Sequence, residues 1–241
     1  PGGSAADERG VGKLAGWLDM LPLVQSGDLL FVHEPLSGGL GAAIETTGRA
    51  TTAWLREHGA PATTDETASH VGLAWRRPVD RSLFVVEALE PAVRLTPADD
   101  FFAQPGAVFY VGSLVDDRMR AAQRAAAEVA LAQVGKPYAD AFQPPPAAFY
   151  CSSLVEYAFD HALGGSPHPF NTEPFALIFE PREFWQDYYR KMNRTLPGNI
   201  TGSNPTLLLH SPAVRFAVRR PTATHGGEAS GGRKNEEIDW Y

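Results

Sequence analysis

Cysteine is nearly missing from this chain: Cys151 is the single one among 241 residues. One thiol forms no internal disulfide, so a disulfide-stapled secreted scaffold is excluded. Positive charge is scarce too. Lys and Arg number 21 against 28 Asp and Glu, for a net charge of −7. A domain that holds nucleic-acid phosphates needs a basic face instead, so no nucleic acid is expected as a partner. Apolar runs stop well short of the ~20 residues that span a bilayer, and no transmembrane segment is expected. Neither C-x-x-C nor H-E-x-x-H occurs, and His161 with His168 has the wrong spacing for a metal pair, so no metal is expected. The opening PGGSAADERG has no Met and no charged-then-apolar leader. Either a leader has been removed or the numbering starts inside a longer gene, and localisation stays open.

What is present suffices for a folded domain. Hydrophobic residues make up 44% of the chain and charged residues 20%, and a chain of this length buries roughly 70–75% of its extended surface on folding. Both ends read as tails: residues 1–10 are Gly, Ala and charge, and 221–241 are polar and Gly-rich, where disorder is expected. The domain is placed at 11–220. A short helix is expected from Lys13 to Leu21, ending before Pro22. Gly27-Asp28 then opens the strand-like LLFVH, with Asp28 bracing the turn. Residues 36–60, rich in Gly, Thr and Ala, read as a loop plus a short helix, and Gly38 to Gly41 lacks the full phosphate-binding pattern. Three β-rich runs follow at 69–75, 82–89 and 107–114.

The strongest helix runs from Asp116 to Val134, with an acidic start, an alanine interior and a stop at Gly135 and Pro137. Pro144, Pro145 and Pro146 make a short stiff turn. Cys151 begins a second helix, in which Leu154, Val155, Ala158, Phe159 and Ala162 recur at helical spacing before Gly164-Gly165. A third covers Glu183 to Met192, and a last β run spans 214–220. Strands in one block followed by packed helices define an α+β domain with a mostly antiparallel sheet.

Cys151 is the first candidate for chemistry. A thiol at the start of a helix lies where unpaired N–H groups and the helix dipole stabilise a thiolate, the nucleophilic form; the competing reading is a small buried hydrophobe. Of the seven histidines, His225 lies in the tail, and His58, His161 and His168 fall in polar loops or helix ends. His210 sits at a turn, and His33 ends a strand beside Glu34. His70 differs, because Gly72 and Ala74 share its strand face with almost no bulk and leave open space before the imidazole. Glu87 interrupts the apolar run LFVVEAL, where a carboxylate is costly to bury unless paired. Neighbouring antiparallel strands set His70 and Glu87 side by side; the competing readings are a core histidine and an outward-facing glutamate. Ser152 and Ser153 lack a G-x-S-x-G elbow. Asn193-Arg194-Thr195 and Asn199-Ile200-Thr201 fit the glycan sequon, which matters only in a eukaryotic secretory pathway.

GDLLFV (27–32), SHVGLA (69–74), FVVEAL (84–89) and YCSSLVEYAF (150–159) together resemble the motifs of NlpC-type papain-like cysteine peptidases. There the Cys helix comes first; here the order is His70, Glu87, Cys151, which is similar to the circularly permuted branch of YiiX- and YaeF-like proteins. GKPYADAF (135–142) is similar to that branch's G-x-P-Y-D segment, and residues 185–208 look like its C-terminal region. Asp140 stands one residue later than in the branch, and Ser153 replaces a Gly or Glu, which points to a changed pocket rim. The resemblance implies a papain-like, circularly permuted fold and a Cys151–His70–Glu87 triad hydrolysing an amide bond without a cofactor. It also implies that Tyr138 stands beside the nucleophile and helps the Cys151 N–H face an oxyanion. Export or the cell envelope is the setting it favours. A cell-wall peptide is one substrate class. A lipid amide or ester is another, because the lecithin:retinol acyltransferase proteins are similar in fold and order but use another His in place of Glu87. Phe101, Phe102, Phe149 and Trp185 either line an apolar groove for such a lipid or belong to the core. A catalytically silent binding module is the third reading. Oligomeric state is not legible.

Overall fold

A computed structural model describes residues 21–34, 39–59, 64–165, 169–171, 174–219 and 239–240. Its centre is an antiparallel sheet of β1 (Leu29–His33), β2 (His70–Arg76), β3 (Leu83–Leu89), β4 (Ala92–Pro97), β5 (Val108–Leu114), β6 (Val214–Arg219) and β7 (Asp239–Trp240). Their spatial order is β4-β3-β2-β1-β5-β6-β7. Helices α1 (Gly39–Glu57), α2 (Ala98–Phe101), α3 (Asp117–Leu131), α4 (Cys151–Ala162), α5 (Arg182–Lys191) and α6 (Pro205–Leu209) complete the described elements.

The central strands are apolar on both sides because both faces are covered. Leu29, Phe31, Val71, Leu73 and Val86 pack in one cluster with the inner faces of α3 and α4, namely Ala126, Ala127, Ala130, Leu154, Val155 and Ala158. The alternate residues Leu30, Val32, Ala74 and Val85 join Phe101 and Phe109 in a second cluster. Alanine along α3 lets α4 approach closely, so the helix that Cys151 opens packs against both α3 and the sheet. Asp116 caps α3 by accepting the Met119 N–H at 2.9 Å.

The expected strands at 69–75, 82–89, 107–114 and 214–220, and the helices from Asp116, Cys151 and Glu183, are present within a few residues of those limits. Residues 36–60 differ: in place of a loop and a short helix they hold the 19-residue α1. Threonine and glycine are poor helix formers, but Ala43, Thr47, Thr51, Thr52 and Leu55 form a buried stripe at helical spacing. Thr47 donates to the Glu180 carbonyl at 2.8 Å, and the Trp185 indole donates to Thr47 at 3.2 Å, so tertiary bonds hold the helix. Strand β4 and the short helices α2 and α6 are also additions. Asp239–Trp240 lie in the segment expected to be disordered, yet their backbone pairs with β6. The rest of both expected tails, and residues 13–20 of the expected first helix, lie outside the described residues; Leu21–Leu23 form a 3-10 turn.

Candidate active site

Cys151 is the first residue of α4 and is buried. Tyr150 precedes it as the helix N-cap, in extended conformation. The Ser153 hydroxyl accepts the Tyr150 N–H at 3.0 Å and donates to the Tyr150 carbonyl at 2.9 Å. Ser153 therefore fixes the backbone on which the thiol sits; it is buried under the helix start and not on the pocket rim that its departure from the motif suggested.

His70 opens β2 and Glu87 lies in β3. Their register sets Leu73 opposite Val86, which makes His70 and Glu87 a diagonal pair on one face. His70 Nε2 meets Glu87 Oε2 at 2.6 Å, with side-chain exposures of only 13% and 3%. Gly72 permits the approach, because a Cβ there would lie 3.2 Å from Glu87 Cβ. With Nε2 turned to Glu87, Nδ1 is the nitrogen left for Cys151. Burial pushes the imidazole pKa down, but interaction with Cys151 and then Glu87 outweighs it and raises the value to about 10. Glu87 is driven up by burial and pulled further down by His70, Thr96 and Arg94, to about 2. His70 is thus held as imidazolium and Glu87 as carboxylate across the neutral range.

Two members of this network were invisible as functional residues in the sequence. Arg94 Nε donates to Glu87 Oε1 at 2.9 Å, and the Thr96 hydroxyl donates to the same oxygen at 2.6 Å. Both lie on β4, where Arg94 stands directly opposite Glu87. The signal that finds them is strand alternation once β4 is known to pair with β3.

Tyr138 is half-buried beside Phe149, to which it is joined by a short parallel bridge. Burial, then the charge of Cys151, push its phenol far above the ordinary value, so it stays protonated and able to donate. Asp140 is exposed and offers its carbonyl, not its carboxylate, to the Tyr188 hydroxyl at 3.1 Å. Asp28 braces the turn before β1 as expected, accepting from Gln25 N and Gln123 Nε2, each at 2.7 Å. Burial raises its pKa to about 6.

The other described histidines are structural. His33 pairs with the Thr67 hydroxyl at 3.0 Å, and His210, buried at the end of α6, meets the Glu66 carbonyl at 2.8 Å. His58, just past the end of α1, and His161, within α4, each bond a carbonyl one turn back. His168 and His225 lie outside the described residues. Among the described residues no group of three or more His, Cys, Asp or Glu is arranged to hold a metal ion, and no helix is long and apolar enough to cross a membrane.

Cys151, His70, Glu87 and Tyr138 all border one cleft of about 800 Å³. Its walls carry Leu40, Ile44, Leu95, Phe101, Phe179 and Trp185 among others. Of the four aromatic residues weighed for a groove, Phe101 and Trp185 line it, Phe101 while also packing in the second core cluster, whereas Phe102 and Phe149 lie in the core alone.

A buried thiol at a helix N-terminus, with a paired histidine and glutamate on adjacent antiparallel strands earlier in the chain, is the arrangement of a papain-like fold of rearranged topology. Residues 24–217 match the family described as permuted papain-like amidase, YaeF/YiiX, C92 family. The chain belongs to that family. The structure is also similar to a crystal structure titled as the metalloprotein YiiX from Escherichia coli O157:H7, with a TM-score of 0.59 and 22% identity over 80% of this chain and 96% of that one. At that identity the likeness speaks for the fold. No curated protein matches the sequence significantly.

Proposed function

We propose that this protein is a cysteine amidase or peptidase that uses Cys151, His70 and Glu87 as its catalytic set. The observation that carries the reading is the 2.6 Å His70–Glu87 contact in a ring that also interacts with Cys151, all three lining the cleft. The Cys151 thiolate attacks the amide carbonyl, forming a C–S bond and a tetrahedral oxyanion. The Cys151 N–H and the Tyr138 hydroxyl face that oxygen, and removing one such donor typically costs roughly 10²–10³ in rate. Collapse breaks the C–N bond, and His70 passes its Nδ1 proton to the departing amine. Water then attacks the thioester, giving one proton to the now neutral His70, and the acid is released with the thiolate restored. Glu87 holds Nε2–H throughout and so fixes the ring. No cofactor enters these steps.

A cell-wall peptide or isopeptide bond is one substrate for this chemistry. The apolar walls of the cleft favour a second on the same mechanism, an amide or ester whose acyl part is a hydrocarbon chain. Alkylation of Cys151 by iodoacetamide against pH tests the enzyme reading. The wild type is expected to react well below about pH 8, and His70→Ala to lose that low-pH reactivity; an ordinary profile near ~8.5 in both speaks for a silent binding module. Release of amine from peptidoglycan fragments or from acyl-amide probes then chooses the substrate.

A further inference from the structure

The far end of β2 holds a second concavity that the hydrolytic chemistry does not use. A polar recess of about 430 Å³ is lined by Gln25, Ser26, Gln123 and Glu128 and by four arginines, Arg76, Arg81, Arg120 and Arg124. At ~3.3 Å per residue along β2 it lies roughly 20 Å from His70. Three elements build it: the turn before β1, the β2–β3 connection, and the outer face of α3. They are locked together closely, since a Cβ on Gly27 would fall 2.3 Å from the Gln123 carbonyl oxygen, and Asp28 ties that turn to Gln123 at 2.7 Å.

Arg76 is fixed in the wall. Its Nε donates to the Val24 carbonyl at 2.6 Å, Nη1 to the Arg81 carbonyl at 3.0 Å, and Nη2 to the Leu21 carbonyl. All three acceptors are neutral, so its hydrogen bonds are met while its charge is not. Arg120 is engaged by Asp117. The side chains of Arg81 and Arg124 have no hydrogen-bond or ion-pair partner among the described residues. The Glu128 carboxylate is the acid lining the recess, and it already accepts the Trp75 indole N–H at 3.1 Å. After burial, Arg76 is perturbed more by the like charge of Arg81 than it is relieved by Asp28. With Arg120 paired to Asp117 and Asp28 only partly offsetting Arg76, the positive charge left over in the recess is that of Arg81 and Arg124 against Glu128. In a chain of net charge −7 that local excess is an arrangement that an anion relieves.

We propose that this recess is a binding site for a phosphoryl group, held by the free forks of Arg81 and Arg124 over the fixed charge of Arg76, with Ser26 and Gln25 in reach as neutral donors. Guanidinium forks match tetrahedral oxyanions in shape and charge, which a halide does not exploit. The group comes from either of two sources, a free phosphate ester or the headgroup of an anionic lipid.

Calorimetric titration with inorganic phosphate against sodium chloride of equal ionic strength tests the first source, and cosedimentation with phosphatidylglycerol against phosphatidylcholine vesicles tests the second. The wild type is expected to bind one of them, phosphate with a dissociation constant of about 1 mM or tighter or the anionic vesicles alone. Arg81→Ala/Arg124→Ala is expected to bind at least about tenfold more weakly, while Arg49→Ala/Arg56→Ala, with the same change of charge on α1, binds as the wild type does. Both substituted arginines of the recess are exposed, so the fold is kept, and an unchanged circular dichroism melt verifies it. Binding to neither probe, or equal weakening in the two double variants, overturns the site.

Discussion

Glu87 is where the interactions of the proposed active site converge. Its two oxygens serve His70 on one side and Arg94 with Thr96 on the other, and a buried carboxylate persists as an anion only with such partners. Glu87→Gln keeps the volume and breaks the logic. If the amide NH2 faces His70, the imidazole proton is forced onto Nδ1; if it faces Arg94 and Thr96, donors meet donors. The expected result is a fall in kcat/KM of roughly 10²–10⁴, as when a triad acid is replaced by its amide. The alkylation profile of Cys151 should move towards ~8.5. Full low-pH reactivity in the variant would remove Glu87 from the mechanism. At this scale the sequence was informative where a residue broke a pattern: a Glu in an apolar run, a His on a face cleared by Gly72 and Ala74. Arg94 and Thr96 broke none. Their meaning comes from the β3–β4 register, which the text does not carry.

Among the elements, β2 bears the tightest constraint. Gly72 sits opposite Glu87, and a Cβ there would lie 2.5 Å from Val85 Cγ1 and 3.0 Å from the Val86 carbonyl oxygen. The first belongs to a fully buried side chain and the second to the backbone of paired strand β3. Gly72→Ala is therefore expected to cost about 1–3 kcal/mol, as overpacking of a filled core does, read as a lower urea midpoint. Because β3 must shift to admit the methyl, the same variant should lose amidase activity more than stability alone explains. Strands and helices with strong patterns were legible, whereas α1 was not: its Thr and Gly content argues against a helix, and its stability comes from Trp185 and Glu180, which are more than a hundred residues away. Strand β4 was hidden because Pro91 and Pro97 bracket a short run whose role is defined by its neighbour.

Across the whole molecule, the permuted order was legible because each motif kept its local text while their sequence changed. The cleft's shape was not, since α1, α5, α6 and the sheet edge each contribute a wall. The protonation of buried groups is likewise a property of the assembled fold, and it determines how stability varies with pH. Glu87 is depressed from 4.5 to about 2, so its contribution is complete above 4.5 and lost as pH falls through about 2. Asp28 and Glu156 are raised by burial from 3.8 and 4.5 to about 6 and about 7; what they contribute is present below those ordinary values and lost as pH rises through the raised ones. His70 is raised from 6.5 to about 10, so its contribution is complete below 6.5 and lost on the way to about 10. Burial holds His210 below its ordinary value, which opposes this trend only on the acid side of 6.5. Urea unfolding is therefore expected to show falling midpoints from about pH 7 to about pH 10 in the wild type, with most of that slope gone in His70→Ala. Asp28→Asn should lessen the fall between about pH 4 and 6, leaving the share that Glu156 contributes, and keep the alkaline flank as it is. A wild-type midpoint that climbs steadily through the alkaline range would mean that the imidazolium is not stabilised by the thiol and carboxylate beside it.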